Sequence, residues 1–159
     1  MNILLINPPR YKGIPVIRED RCEITDRTSV IPHYSLMQLA SILKRNSHEV
    51  TLIDANGENI SYLSIKGSLA RCDPYDVVVF RFTPTTFNYD LKMASLAKEI
   101  NPHTLTVGLC WTLQSFAKDV LKSCDSLDIY ALGESEIVVP DLIEAFEQKG
   151  LEIYMRLKE

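Results

Sequence analysis

The chain is 159 residues long, 46% hydrophobic and 24% charged, with a net charge of −4. Those figures describe one ordinary globular domain with enough apolar side chain for its own core, and the acidic balance argues against nucleic acid, whose phosphates require clustered Lys and Arg. No apolar run nears the roughly 20 residues that cross a bilayer, and the start MNILLINPP has neither a basic leader nor a small-residue cleavage site, so no membrane association is expected and the expected location is cytoplasmic.

The first strand is read at residues 3–6, an Ile-Leu-Leu-Ile run stopped by Pro8-Pro9, since proline cannot donate to a ladder. Residues 10–32 form a long irregular connection. It sets Arg10, Lys12, Arg18, Arg21 and Arg27 against Glu19, Asp20, Glu23 and Asp26, with few apolar residues. A connection of that length and polarity is expected to be a mobile lid or a docking surface at the binding edge. A helix over 35–46 puts Leu36, Leu39, Ala40 and Leu43 on one face, with Ser35 as its cap. A strand at 49–54 ends in the turn Asn56-Gly57.

A weaker helix over 60–71 is broken by Asp73-Pro74. A strand at 76–81 leads into the loop Thr83-Pro84-Thr85-Thr86, then a helix over 89–100 with Asn88 as cap and Asn101-Pro102 as stop. A fourth strand at 105–107, a helix over 112–123 and a fifth strand at 127–131 follow. Gly133-Glu134-Ser135-Glu136 opens a last helix to about 148, with Pro140 in or near its first turn and Lys149-Gly150 at its close. The domain is placed at 1–149. Residues 150–159 are read as a C-terminal edge strand or a linker toward a further domain.

Near-continuous Val, Ile and Leu strands alternating with helices predict a parallel sheet covered on both faces. The expected fold is α/β, a flavodoxin-like (Rossmann-like) three-layer sandwich of five parallel strands in the order 2-1-3-4-5. Such sheets bind ligands outside the carboxyl ends of their strands. Function is therefore expected in the loops at 7–10, 83–86, 108–112 and 133–136. Several familiar motifs are missing there. The first loop, NPPRYKG, lacks G-x-G-x-x-G, and Asp54 reads as a plain strand-end carboxylate. Neither G-x-x-x-x-G-K-[ST] nor G-x-S-x-G occurs. Cys22, Cys72, Cys110 and Cys124 have no metal-ligand spacing and read as reduced and structural.

Other side chains near the edge carry two readings each. Cys110 is a small buried hydrophobe or a reactive thiol. Trp111 packs, or stacks on a planar ligand. Glu134 and Glu136 complement a helix dipole, or form an acid–base pair. Arg81 meets an anionic group, or pairs with a carboxylate. His33 stands near the edge and is open to a ligand role.

Five segments, in order, carry a resemblance: ILLINPPR (3–10), IPHYSLMQLASILKRNSHEVTLIDA (31–55), residues 76–85 followed by LAKEINP (96–102), VGLCWT (107–112), and GESE (133–136) followed by Pro140-Asp141-Leu142. Together they resemble the N-terminal cobalamin-binding domain of the cobalamin-dependent radical-SAM enzymes. The resemblance implies that cobalamin lies across the carboxyl edge, its nucleotide tail running down into the domain. Asn7, Pro8 and Pro9 would border the corrin, and Thr83 and Thr85 would bond the tail or the corrin amides. Gly108 would allow close approach, with Leu109 and Cys110 in the same loop, and Gly133 and Glu134 would close the far side. It implies a methyl-transferring enzyme, with no catalytic residue and no metal ligand assigned to this chain. Other cobalamin domains carry a D-x-H-x-x-G loop whose histidine coordinates cobalt. Residues 7–13 contain no histidine, so ligation of that kind is not expected.

The chain also departs from the family. Ser35, Ser47, Leu109 and Ser135 stand where glycine is common, Trp111 adds bulk beside Leu109, and Phe80 replaces a small residue. A degenerate, cobalamin-free interaction or scaffold domain of the same fold is therefore the alternative, and a nucleotide-binding enzyme is a third reading. An open slot beside Gly108 and Thr83 would favour the cofactor; Trp111 and Phe80 filling it would favour the scaffold. No C-x-x-x-C-x-x-C cluster occurs. The iron–sulfur cluster and S-adenosylmethionine are expected only in a separate radical-SAM catalytic domain, in the full-length protein or in trans, and the chain alone is not expected to be catalytic.

Overall fold

The computed structural model describes residues 1–19, 23–24, 28 and 30–149. Strand β1 (Asn2–Asn7) is followed by a short hairpin, β2 (Val16–Ile17) with β3 (Glu23–Ile24), then by α1 (Tyr34–Arg45) and β4 (Glu49–Asp54). Next come α2 (Tyr62–Leu69), β5 (Val77–Arg81), a 3₁₀ turn at Pro84–Thr86, α3 (Phe87–Asp90) and α4 (Lys92–Ile100). The chain continues through β6 (Leu105–Leu109), a second 3₁₀ turn at Gln114–Phe116, α5 (Ala117–Ser123), β7 (Ile129–Ala131) and α6 (Ser135–Lys149). The expected strand or linker at 150–159 lies outside the described residues.

Five strands form one sheet in the order β4-β1-β5-β6-β7, every neighbouring pair parallel. This is the expected 2-1-3-4-5 order, and its cause is the alternation of side chains along each strand. Ile3, Leu5, Val77, Val79 and Val107 face one way and pack against Leu36, Leu39 and Leu43 of α1 and Val139 and Ile143 of α6. Leu4, Ile6, Val78 and Phe80 face the other way and pack against Ile65 of α2 and Met93, Ala94 and Ala97 of α4. Both faces of the sheet are thus sealed, and the polar loops collect at its two edges.

Several boundaries differ from the sequence expectation. The helix expected at 89–100 begins at Phe87 and divides at Leu91, where the Ala94 amide reaches back only as far as the Leu91 carbonyl. That three-residue spacing is a local tightening of the helix. The helix expected at 112–123 starts only at Ala117, after the 3₁₀ turn. Pro140 lies inside α6, beyond its first turn.

The described start of the long connection is packed; residues 20–22, 25–27 and 29 of the expected lid lie outside the described residues. Arg10 donates to the carbonyls of Asn56 (2.8 Å) and Gly57 (3.1 Å), and the Tyr89 hydroxyl donates to the Arg10 carbonyl (2.9 Å). The buried Val16 amide donates to Asn56 Oδ1 at 2.8 Å. Hydrogen exchange measured on the free protein should find the Val16 amide protected like the amides of β1 and β5. Exchange there as fast as in an open loop would restore the lid.

Candidate functional site

A cleft of about 400 Å³ opens at the carboxyl edge of the sheet. Its floor is made by the strand ends Arg81, Leu109, Cys110 and Ala131. Trp111 and Gln114 wall it from the loop after β6; Gly133, Glu134, Ser135 and Glu136 wall it from the turn into α6; Ser35 reaches in from α1. Gly133 makes that turn possible. Its φ of +102° lies in a region that residues with a Cβ rarely adopt. The Glu134 carbonyl accepts the first helical amides, from Ile137 and Val138, and Glu136 stands in the first turn, where its charge complements the helix dipole.

Four charged or polar side chains link the cleft to the long connection. Arg81 Nη2 donates to Ser35 Oγ at 2.6 Å, and Ser35 Oγ donates to Glu19 Oε1 at 2.9 Å. His33 Nδ1 lies 2.7 Å from the same carboxylate oxygen, and the Ser35 amide donates to it at 2.9 Å. Ser35 is not the cap of α1. The helix starts at Tyr34, its N-cap His33 supplies no capping bond, and Glu19 takes that role from the preceding connection. With Nδ1 facing a carboxylate, the Nδ1 proton is the one His33 keeps when neutral. Its Nε2 is buried and finds no partner among the described residues, and neither does Arg81 Nε.

Burial opposes ionisation of Glu19, but the bonds from His33 and Ser35 and the attraction of His33 together outweigh it and hold the carboxyl at about 2. Burial pushes His33 below its ordinary value, with Glu19 pulling the other way. The two signs agree. Unfolded chains take up a proton on Glu19 near its ordinary 4.5, and on His33 near 6.5, while the folded chain resists both. Stability from this cluster is therefore full above about 6.5 and declines as the pH falls toward about 2. Melting temperature measured from pH 7 to pH 3 should fall, and should fall less between pH 7 and 5 in His33→Gln. An identical slope in that variant would remove His33 from the account.

The first loop is held from beneath by Arg18, which is fully buried. Its Nη1 donates to Pro8 O (2.9 Å) and Asn7 Oδ1 (3.2 Å), and its Nη2 to Pro9 O (2.8 Å) and Asp90 Oδ1 (2.8 Å). Asp90 is equally buried, and also accepts from the Thr83 amide (3.2 Å) and the Thr86 hydroxyl (2.7 Å). Arg18 therefore ties the loop after β1 to the loop after β5.

The sequence candidates consequently divide. Leu109, Cys110, Gly133 and Glu134 line the cleft. Asn7, Pro8, Pro9 and Thr83 are buried around the Arg18–Asp90 pair. Thr85 is exposed and borders a separate groove beside Tyr11, Tyr89 and Lys92. Gly108 lies under the cleft. A Cβ there would stand 2.9 Å from Phe82 Cε1 and 3.1 Å from Leu127 Cδ1. The space beside Gly108 and Thr83 is thus filled, by Phe82 with Phe80 behind it, while Trp111 is 56% exposed. Cys110 is 3% exposed, its Sγ 3.4 Å from Thr112 Oγ1.

Arg18 and Glu19 figured in the sequence only as charges of the long connection, and Gln114 not at all. One signal for Arg18 exists at a distance. Asp90 shares a helical face with Met93, Ala94 and Ala97, all buried, and an acid on an apolar stripe implies a buried cationic partner.

No family model matches the chain. It is 27% identical over 154 residues to an uncharacterized methyltransferase of Pyrococcus horikoshii, covering 96% of this chain and 31% of that protein. In three dimensions it is similar to the radical S-adenosylmethionine methyltransferase TsrM from Kitasatospora setae. The structure of TsrM with cobalamin and a [4Fe-4S] cluster bound matches with a TM-score of 0.70 at 13% identity, over 93% of this chain and 27% of TsrM. The structure with tryptophan substrate and an S-adenosylmethionine analogue matches with a TM-score of 0.69 at 14% identity, over 92% and 26%. The fold is shared. The chain spans about a third or less of the length of these relatives.

Proposed function

We propose that the domain seats cobalamin over the cleft at the ends of β5, β6 and β7, as the cofactor module of a radical-SAM enzyme that transfers methyl groups. The observation that carries this reading is the cleft itself, at the ligand-binding edge of a fold shared with a protein whose structure holds cobalamin. Its walls suit a corrin, a flat macrocycle fringed with amides. Leu109, Ala131 and the exposed Trp111 offer apolar surface to the plane. Arg81, whose Nε has no acceptor among the described residues, can donate to amide carbonyls with Ser35 and Gln114; Glu134 and Glu136 can accept from amide N–H groups.

Cobalamin, when bound, supplies a cobalt centre that can carry a methyl group. The residues of this chain bind and orient. No histidine lines the cleft among the described residues. The iron–sulfur cluster and S-adenosylmethionine belong, on this reading, to a catalytic domain in the same protein or in trans.

Protein mixed with hydroxocobalamin and passed through gel filtration should elute with the visible spectrum of a corrin. Arg81→Met should weaken retention about tenfold, the effect of losing a charged hydrogen bond. Folded wild-type protein that elutes colourless would sink the reading.

One observation favours a second reading, a cobalamin-free interaction domain. Phe82 fills the space beside Gly108, and Trp111, Phe116, Leu132 and Ile137 leave exposed apolar surface on the segments after β6 and β7. Colourless elution together with capture of a radical-SAM partner domain, lost in Trp111→Ser, would establish it.

A further inference from the structure

Resting on the cobalamin reading, we infer that Glu19, which does not itself line the cleft, is a positioning residue for it: through the Ser35 hydroxyl it fixes the Arg81 guanidinium on the cleft floor, and so ties the affinity of the cleft to the packing of residues 10–19. Arg81 and Ser35 both line the cleft. The 2.6 Å bond from Arg81 Nη2 to Ser35 Oγ is the only hydrogen bond Arg81 makes among the described residues. Whatever orients Ser35 Oγ therefore orients the guanidinium. That group is a rigid planar fork, so fixing one nitrogen sets the directions in which the others can donate.

Ser35 is in turn held by the connection. A hydroxyl has one proton to give. Ser35 gives it to Glu19 Oε1 at 2.9 Å. Only lone pairs then face Arg81, and a cationic N–H needs an acceptor there. With that proton turned toward Arg81 instead, the bond from Nη2 would be lost. The Glu19 carboxyl, held at about 2, is ionised at neutral pH and so remains an acceptor. His33 Nδ1 lies 2.7 Å from the same oxygen and steadies it.

Glu19 serves α1 in two separable ways. It accepts from the Ser35 amide at 2.9 Å, which caps the helix, and from the Ser35 hydroxyl, which faces the cleft. The first bond is local to the start of α1. The second continues to Arg81 at the end of β5. The contacts thus run from the connection, across the first turn of α1, to the cleft floor. Replacing Ser35 by alanine removes the second role of Glu19 and keeps the first.

Hydroxocobalamin affinity, followed by the visible spectrum, should fall about tenfold in Glu19→Ala. Glu19→Gln, which keeps an acceptor for the Ser35 hydroxyl, should recover most of that loss. Should Glu19→Ala not fold, Glu19→Asp, whose shorter arm withdraws the oxygen, takes its place. In a Ser35→Ala background the same change at Glu19 should cost less than about threefold, since no hydroxyl remains to be oriented. An equal loss in both backgrounds would mean that Glu19 is a helix cap only, and would overturn the inference. Exchange of the Arg81 Nε proton, measured by NMR without ligand, should quicken about tenfold in Glu19→Ala. An unchanged rate would overturn the inference whether or not a corrinoid binds. Quickened exchange in a chain whose wild type binds no hydroxocobalamin would instead overturn the cobalamin reading, with Glu19 still the residue that positions Arg81.

Discussion

Replacing Arg18 with methionine is expected to destabilise the fold by about 3–5 kcal/mol, the usual cost of removing one partner of a buried ion pair. For a chain of this length that corresponds to a fall in Tm on the order of 10 °C. The reasons are local and additive in sense. Burial pushes the Asp90 carboxyl above its ordinary range; Arg18, Thr86 and the Thr83 amide pull it back. Without Arg18 the carboxyl is left buried, and Pro8 O, Pro9 O and Asn7 Oδ1 lose their donor at the same time. The loops after β1 and β5 would no longer be tied together. The double variant Arg18→Met, Asp90→Leu should recover part of the loss, because the stranded charge is gone. Chemical denaturation of the three proteins measures both effects. A single variant within about 1 kcal/mol of wild type would mean that water or another group replaces Arg18.

The sheet could be read from the sequence because its strands are continuous apolar runs. VVVF at 77–80 and ILLI at 3–6 are buried on both faces, as strands of a covered parallel sheet are. The helices were legible in place, less so in extent. The division at Leu91 depends on backbone spacing that no side-chain pattern announces. In the long connection the charges suggested solvent, and at two of its positions the structure differs. Arg18 and Glu19 are neighbours in a charged run, yet one is fully buried and the other caps α1. Both find partners far along the chain, Arg18 in Asp90 and Glu19 in Ser35 and His33. A local reading cannot see such pairs.

The candidate site divides for the same reason. Among the described residues no segment folds back over the loops after β6 and β7 as residues 10–19 do over the loop after β1, and Leu109, Cys110, Gly133 and Glu134 line the cleft. The loop after β1 ends a central strand, but residues 10–19 fold back over it and bury Asn7, Pro8 and Pro9. The bulk at Phe80 and Trp111 drew attention as filling for the space beside Gly108. Phe82, just past the end of β5 and hydrogen-bonded through its amide to the Leu109 carbonyl, is the residue that fills it.

That contact yields the second large effect. Phe82→Ala should cost about 3–5 kcal/mol, since it empties a fully buried aromatic site among Phe80, Phe87 and Tyr130. Gly108→Ala should cost about 1–3 kcal/mol in the wild-type background, because its methyl group meets the Phe82 ring at 2.9 Å in a packed core. In the Phe82→Ala background the same methyl group enters the cavity, and only Leu127 Cδ1, 3.1 Å away, has to shift. There Gly108→Ala should be neutral or stabilising. The glycine in β6 is therefore a consequence of the phenylalanine beside it, and the two positions should show a coupling of about 1–3 kcal/mol in a double-mutant cycle by urea denaturation. Additive losses across the cycle would mean that Gly108 is required by the backbone of β6 and not by Phe82.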